Sequence, residues 1–547
     1  MKTPPIDRFW SLLSRYKSEI RQIYIYALFI GLVNLSLPVG IQAIINFIYS
    51  GELTSSWVIL VIIVLAGIAV TGVLQVFQLK IVETIQQDVF ARFAFDFAYR
   101  IPKITLLQLD KIHAPELVNR FFDVLTIQKG LPKILIDFSL AIFQIFFGLI
   151  LLTIYSSYFI ILGVALIVIL WIAFKITGKK GLSTSIKESK NKYQLVHWLE
   201  EVARVNSSFK LHAEHKLHLN KTDNITEKYL SNRESHFKVL INQFKFFVGF
   251  KILIEGWLLI LGGYLVIQGQ MDIGQFVAAE IIIILIIYSV EKVMVTIEMI
   301  YDVLTAFDKI GYVTDLKLDK NIGHTEVDNT SAFSLKGVEI QSGFPNIRKK
   351  VFNNFSFEIA KKSKVLLKGD AGSGKSVFLQ IIAGIYPIED GALYVNEIPF
   401  INYNKNSLFE NIGVCFRDNQ IFEGTFRENI TVGRDVYEKE LLEVVKLLKL
   451  DSFFLHQPEG IDCFVESEGK RLSRATIQKL LIARVIINKP KLLLLENSLQ
   501  FLKEYEKNRI IDYIMDDKHD WTVVVISDHH YWEKRCTQTI DLSKSNN

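Results

Sequence analysis

Apolar residues are not spread evenly along this chain. Six stretches, 23–48, 57–79, 135–155, 158–176, 247–267 and 276–297, are nearly continuous in Leu, Ile, Val and Phe. Each approaches or exceeds the roughly 20 residues that a helix needs to cross a bilayer. The sixth is the most interrupted, by Glu280, Glu291 and Lys292. Only Ser156 and Ser157 separate the third stretch from the fourth, which predicts a tight helical hairpin. Segments 80–134 and 177–246 are polar yet poor in Gly and Pro, so the spans should continue as helices outside the bilayer and turn back near 102–115 and 206–216. Helices of about 25 residues rise roughly 37 Å each. Hydropathy falls after about residue 311, and 316–330 reads as a polar linker to a soluble domain.

Charge orients this pattern. The connections 49–56, 156–157 and 268–272 hold no Lys or Arg. The others hold Lys80, Arg92, Arg100, Lys103 and Lys111, and then Lys175, Lys179, Lys180, Lys187 and Lys190. The positive-inside rule then places both termini in the cytoplasm. Composition agrees with a membrane portion: half the residues are hydrophobic and the mean hydropathy is +0.28. A net charge of +5, from 62 basic and 57 acidic residues, gives no nucleic-acid signal. The three cysteines, Cys415, Cys463 and Cys536, form no CxxC pair, which excludes a disulfide framework and a zinc site as expectations. Residues 1–21 are polar and charged and do not read as a cleavable signal. Within the spans, Lys251 and Glu255 sit four apart and are expected to pair, whereas Glu280 has no sequence partner and is a candidate for the translocation path.

The soluble part opens its chemistry at KVLLKGDAGSGKSVFLQII: a short strand, a glycine-rich turn and an amphipathic helix. Gly369, Asp370, Ala371, Gly372, Ser373, Gly374, Lys375 and Ser376 spell a complete G-x-x-x-x-G-K-S, with Val377 following. Glycines let backbone N–H groups wrap phosphates, the lysine reaches the terminal phosphates and the serine hydroxyl serves Mg²⁺. The helix N-terminus adds its dipole. ATP and Mg²⁺ are therefore the expected cofactors.

Other segments resemble a known family. Phe422-Glu423-Gly424-Thr425-Phe426-Arg427-Glu428-Asn429-Ile430 is similar to the F-x-G-T-I-x-E-N-I segment of ABC exporter cassettes. The stretch LSRATIQKLLIARVIINKPKLLLLENSLQFL resembles their signature-to-Walker-B block, and GQMDIGQFVAAE resembles the start of their sixth membrane helix. The resemblance spans essentially the whole chain and is closest to the type I secretion, haemolysin-exporter-like group. It implies a multi-domain membrane protein: a six-helix all-α transmembrane domain with long cytoplasmic extensions over 1–315, a linker over 316–330, and an α/β P-loop ATP-binding cassette over 331–547. It also implies a multi-pass half-transporter of a bacterial inner membrane. A homodimer is the leading arrangement and a heterodimer the alternative, with a periplasmic adaptor and outer-membrane channel as further partners.

The same resemblance locates departures. The signature L-S-G-G-Q falls on Leu472, Ser473, Arg474, Ala475 and Thr476, so Arg474 stands where the family has glycine. Glu496 takes the place of the Walker B aspartate that serves Mg²⁺, and Asn497 that of the glutamate that polarises water. Arg417 falls at the Q-loop glutamine, Lys503 at the D-loop aspartate and Asp528 at the switch histidine, with His529 one residue on. Phe344 falls at the adenine-stacking aromatic. An intact phosphate loop beside altered hydrolytic positions implies retained binding and weak or lost hydrolysis. The functional expectation is an exporter subunit. The alternatives are a non-hydrolysing, ATP-gated scaffold and a lipid or small-molecule flippase.

Overall fold

A computed structural model describes residues 3–50, 55–110, 112–328, 331–344, 349–454 and 457–544. The chain divides into two compact units, Met1–Ile104 with Ile112–Lys317, and Thr105–Lys111 with Leu318–Asn547.

The first unit is all helical. Among the described residues, six helical stretches are long and apolar enough to cross a membrane: Lys17–Tyr49, Ser55–Lys103, Ala114–Tyr155, Phe159–Arg204, Leu217–Ile267 and Ile273–Thr314. Each contains one of the six apolar runs. Ser55–Arg100 and Phe159–Arg204 are unbroken helices of 46 residues each, so the polar flanks do continue the spans. Three breaks among the described spans were not foreseen: a π-turn over Leu258–Gly262 in the fifth, and two that sit at prolines. Pro38 lacks the N–H that would reach Asn34, and the first span divides at Leu35 into Lys17–Asn34 and Ser36–Ser50. Pro132 ends the helix Asp123–Pro132, and a π-turn over Lys133–Asp137 carries the chain on.

Small and polar residues mediate the helix packing. A Cβ on Gly181 would lie 2.5 Å from the Tyr301 ring, so only glycine admits that ring. Gln243 is buried and donates to Thr177 Oγ1 at 2.7 Å and to Tyr301 Oη at 3.0 Å. These interhelical bonds satisfy a buried amide just beyond the apolar stretches. The expected Lys251–Glu255 pair is not among the ion pairs of the described residues; the lysine is exposed and the glutamate half-buried. Glu280 is exposed on the sixth span. The N-terminal stretch, read only as polar, holds a helix, Pro5–Leu13, whose Phe9 meets Phe307 edge-on at 6.1 Å while Arg8 pairs with Asp315 at 2.5 Å.

The second unit has strands β1 (Leu335–Phe344), β2 (Lys349–Ile359), β3 (Lys364–Lys368), β4 (Asp390–Val395), β5 (Ile398–Pro399), β6 (Ile412–Cys415), β7 (Gly424–Thr425), β8 (Phe464–Val465), β9 (Leu492–Glu496), β10 (Thr522–Ile526) and β11 (Gln538–Asp541). An antiparallel sheet runs β2-β1-β4-β5 and a parallel one β11-β3-β10-β9-β6. Parallel strands need apolar residues on both faces because crossover helices cover them. LLLLE in β9 and TVVVI in β10 are buried throughout. Part of the expected linker is tied to this unit: Thr325 bridges Tyr403, and Val327 joins the core around Phe333 and Leu335. So does Thr105–Lys111, far earlier in the chain, whose Leu106 packs on the same core.

Candidate nucleotide site

Four parallel strands deliver the chemical residues to one edge. β3 leads into Gly369, β6 into Arg417, β9 into Glu496 and Asn497, and β10 into Ser527, Asp528 and His529. In open α/β sheets this carboxyl edge is where ligands bind.

The loop after β3 is shaped by glycine. Gly369, Gly372 and Gly374 have φ of +148°, +82° and +93°, a region that costs other residues energy. A Cβ on Gly374 would lie 2.4 Å from Val351 Cγ1, so the backbone also needs glycine for closeness. Gly374 caps the helix Lys375–Ile382, and its free N–H groups face the loop. Lys375 Nζ donates to the carbonyls of Gly369 at 2.5 Å and Asp370 at 2.9 Å, folded back across the cradle that a phosphate would enter. Ser373 Oγ is buried and has no hydrogen-bond partner among the described residues.

Ser376 Oγ donates to Glu496 Oε1 at 2.6 Å. This brings together the two oxygen ligands expected at Mg²⁺, and the longer glutamate reaches the hydroxyl that the family's aspartate would serve. Glu496 is buried, and its second oxygen faces the backbone N–H of Arg417 at 3.5 Å. A hydroxyl and a carboxylate are hard oxygen donors and suit Mg²⁺.

Asn497 adopts a left-handed φ of +46°, and its N–H donates to the Ile526 carbonyl at 2.9 Å, locking the end of β9 to the end of β10. Its side chain lines a cavity of about 280 Å³ with Asp528, His529, Gln500 and Lys507. Asp528 is exposed there. His529 Nε2 lies 2.7 Å from Glu504 Oε2, a pairing with no precedent in the motif, while its Nδ1 is buried with no partner among the described residues. Glu504 is held below the usual carboxylate range by the hydrogen bond from His529 and then by Lys507.

The remaining candidates are dispersed. Ser473 caps the helix Arg474–Ile486, accepting from Thr476 N at 3.1 Å. Arg474 is exposed and lies over the Phe501 ring at 5.1 Å, a contact that motif counting does not reveal. The Arg417 side chain is exposed. Lys503 begins the helix Glu504–Met515 and carries no catalytic contact among the described residues. Phe344 ends β1, but its side chain lies outside the described residues. Thr425 forms a capping box with Glu428, and Arg484 donates to the Asn429 carbonyl at 2.8 Å, which explains in packing terms why the T-F-R-E-N segment has its residues.

A phosphate-loop nucleotide domain behind a six-helix membrane domain defines a class of ATP-binding transport proteins. The ABC transporter transmembrane region matches residues 22–290, and the ABC transporter ATP-binding domain matches 352–500. The chain belongs to the ABC transporter family and has the domain pair of an exporter half-transporter. A Rickettsia bellii protein named for an export ATP-binding/permease role is 25% identical over 295 residues, 54% of this chain and 51% of that protein. The multidrug resistance-like ATP-binding protein MdlB of Buchnera aphidicola (Schizaphis graminum strain) is 30% identical over 199 residues, 35% of this chain and 34% of its own. The chain thus spans about half or less of the length of these curated relatives. Its fold is similar to that of a bacterial Atm1-family ABC exporter solved with ATP bound, at a TM-score of 0.83 and 16% identity over 96% of this chain and 94% of the other.

Proposed function

We propose that the chain is one half of a dimeric exporter of a bacterial inner membrane, both termini cytoplasmic, that binds ATP-Mg²⁺ firmly and hydrolyses it slowly. ATP phosphates would lie on the N–H groups of 369–377, Lys375 would swing from its loop carbonyls to the terminal phosphates, and Ser376 with Glu496 would hold Mg²⁺. The observation that carries the reading is the Ser376–Glu496 contact at 2.6 Å beside Asn497. The two proposed ion ligands are adjacent, but the residue after Glu496 is an amide. An amide can hold a water by hydrogen bonds and cannot take its proton, and loss of a general base costs roughly 10²–10⁴-fold. Asp528 leaves no imidazole at the switch position, and the neighbouring His529 is engaged by Glu504. The Gly-to-Arg change at Arg474 puts a cation at the signature, where it stands exposed over Phe501.

The type I secretion assignment, with a periplasmic adaptor and outer-membrane channel, rests on the motif resemblance. It is tested by turnover of purified dimer in nanodiscs with unfolded peptide against lipid: peptide stimulation supports secretion, and lipid stimulation supports a flippase. A dimer that binds ATP yet turns over with neither is the gated scaffold.

A further inference from the structure

The helix Phe159–Arg204 continues well past its apolar part and there packs with Ile273–Thr314 and Ala114–Asn119 around a cavity of about 460 Å³. That volume falls within the roughly 300–1,000 Å³ of small-molecule sites. Four cations line it, Arg120, Lys187, Lys190 and Lys309, against two carboxylates, Glu116 and Asp308. Both carboxylates are committed: Glu116 accepts from Arg120 at 2.5 Å, and Asp308 from its neighbour Lys309 at 3.2 Å. Lys187 and Lys190 stand one turn apart on the same helix, exposed, with no carboxylate partner among the described residues. Arg120 and Lys309 are thus partly balanced, by Glu116, Asp308 and the nearby Asp123, and the unbalanced positive charge lies at Lys187 and Lys190.

Arg120 is the fixed element. It is only 7% exposed, and its guanidinium carbon lies 3.6 Å from the centre of the Tyr193 ring and 5.3 Å from that of Tyr312. Stacking on aromatic rings holds the planar fork in one orientation. Among the described residues its Nε has no hydrogen-bond partner, and neither has Nδ1 of His197, which also lines the cavity. Arg120 already donates through Nη2 to Glu116, so an entering anion would meet the guanidinium at its remaining N–H groups and share it with that carboxylate. Donors here come from two helices and a third short segment, so they approach a ligand from several directions. A planar carboxylate offers two oxygens in one plane; a phosphate group offers three or more in a tetrahedral array, and matches both the arginine fork and the lysine point charges.

We propose that this cavity binds a small phosphate-bearing anion, at a site separate from the nucleotide loop and independent of the transport reading above. The decisive residues are Arg120, Lys187 and Lys190. The shared chemistry has two sources, a soluble phosphate compound and the headgroup of an anionic phospholipid.

The test uses full-length purified protein carrying Lys375→Ala, so that the nucleotide loop does not compete. Inorganic pyrophosphate is titrated at constant ionic strength in detergent, and hydrogen exchange is read over 116–122, 186–197 and 308–312. A parallel arm uses nanodiscs of phosphatidylglycerol against phosphatidylcholine. Protection of these segments by pyrophosphate, weakened at least tenfold in Lys187→Gln/Lys190→Gln, supports a soluble ligand. Protection only in phosphatidylglycerol, lost in the same variant, supports a lipid headgroup. Both lysines are exposed, so the variant should fold, and an unchanged melting temperature checks this. Protection in neither arm, or protection that the double variant leaves intact, overturns the proposal.

Discussion

Asn497 shows how much one atom type decides at the scale of a residue. Its backbone is fixed at φ +46° by the bond to Ile526, so a glutamate placed there would start from the same position. If the base were the sole defect, Asn497→Glu would raise turnover by the roughly 10²–10⁴ of a general base. A smaller gain is expected, because on the proposed reading Arg474 and Asp528 also stand at positions that serve the terminal phosphate, and groups that act as a unit do not add. Asn497→Glu with Arg474→Gly and Asp528→His should exceed the sum of the single gains. Steady-state phosphate release at saturating ATP measures this, and wild-type turnover of about 1 s⁻¹ or more, ordinary for enzymes, would show hydrolysis by another route. Binding is a separate matter. Lys375→Ala removes the cation now held by the Gly369 and Asp370 carbonyls, and photo-crosslinking to an ATP analogue should fall severely; equal labelling of wild type and variant contradicts the assigned phosphate site.

Between elements, stability depends on a few specific junctions. Lys479 on the helix Arg474–Ile486 and Glu506 on Glu504–Met515 pair at 2.6 Å with side chains only 12% and 9% exposed. Burial pushes Glu506 up, but the hydrogen bond and charge of Lys479 outweigh it, and the carboxyl ends below its usual value. A depressed carboxyl contributes stability above its unfolded value and loses it as pH falls through the folded one. Glu506→Gln should therefore cost about 3 kcal/mol near neutrality, the penalty of stranding a buried cation. The gap to wild type should close under acid, as thermal melts across pH would show. Gly181→Val should drive Tyr301 from its pocket and break its bond with Gln243, costing about 1–3 kcal/mol by overpacking, read as a lowered melting temperature in detergent. Junctions of this kind were the part least legible in the sequence. Hydropathy revealed the six spans and the glycine spacing revealed the phosphate loop, because both signals are local. The contact of Leu106 with the nucleotide unit, the stacking of Arg474 on Phe501 and the pairing of His529 with Glu504 join residues that no period or motif links. Lys251 and Glu255 illustrate the reverse: helical spacing allowed a pair that their surroundings did not form.

For the molecule as a whole, the orientation in the bilayer is the property on which the proposed function depends, since nucleotide must reach the second unit from the cytoplasm. The argument is electrostatic. Three connections lack Lys and Arg entirely, and the alternate ones carry them in numbers, the asymmetry from which the proposed topology is drawn by the positive-inside rule. Helix continuity supports it from a second direction. The unbroken 46-residue helices Ser55–Arg100 and Phe159–Arg204 are each about 69 Å long at 1.5 Å per residue, twice the roughly 30 Å hydrocarbon thickness, and their excess length is the polar, lysine-bearing part. Single cysteines test this directly. Glu52→Cys and Gln270→Cys should react with a membrane-impermeant maleimide in intact cells, and Asp110→Cys only after permeabilisation. Native thiols give little background. Cys415 and Cys463 are buried, and burial pushes Cys415 and Cys536 up to about 12, so almost none is thiolate near pH 7. Labelling of position 110 in intact cells would invert the topology, put the nucleotide loop on the side without ATP, and remove the basis for an ATP-driven exporter.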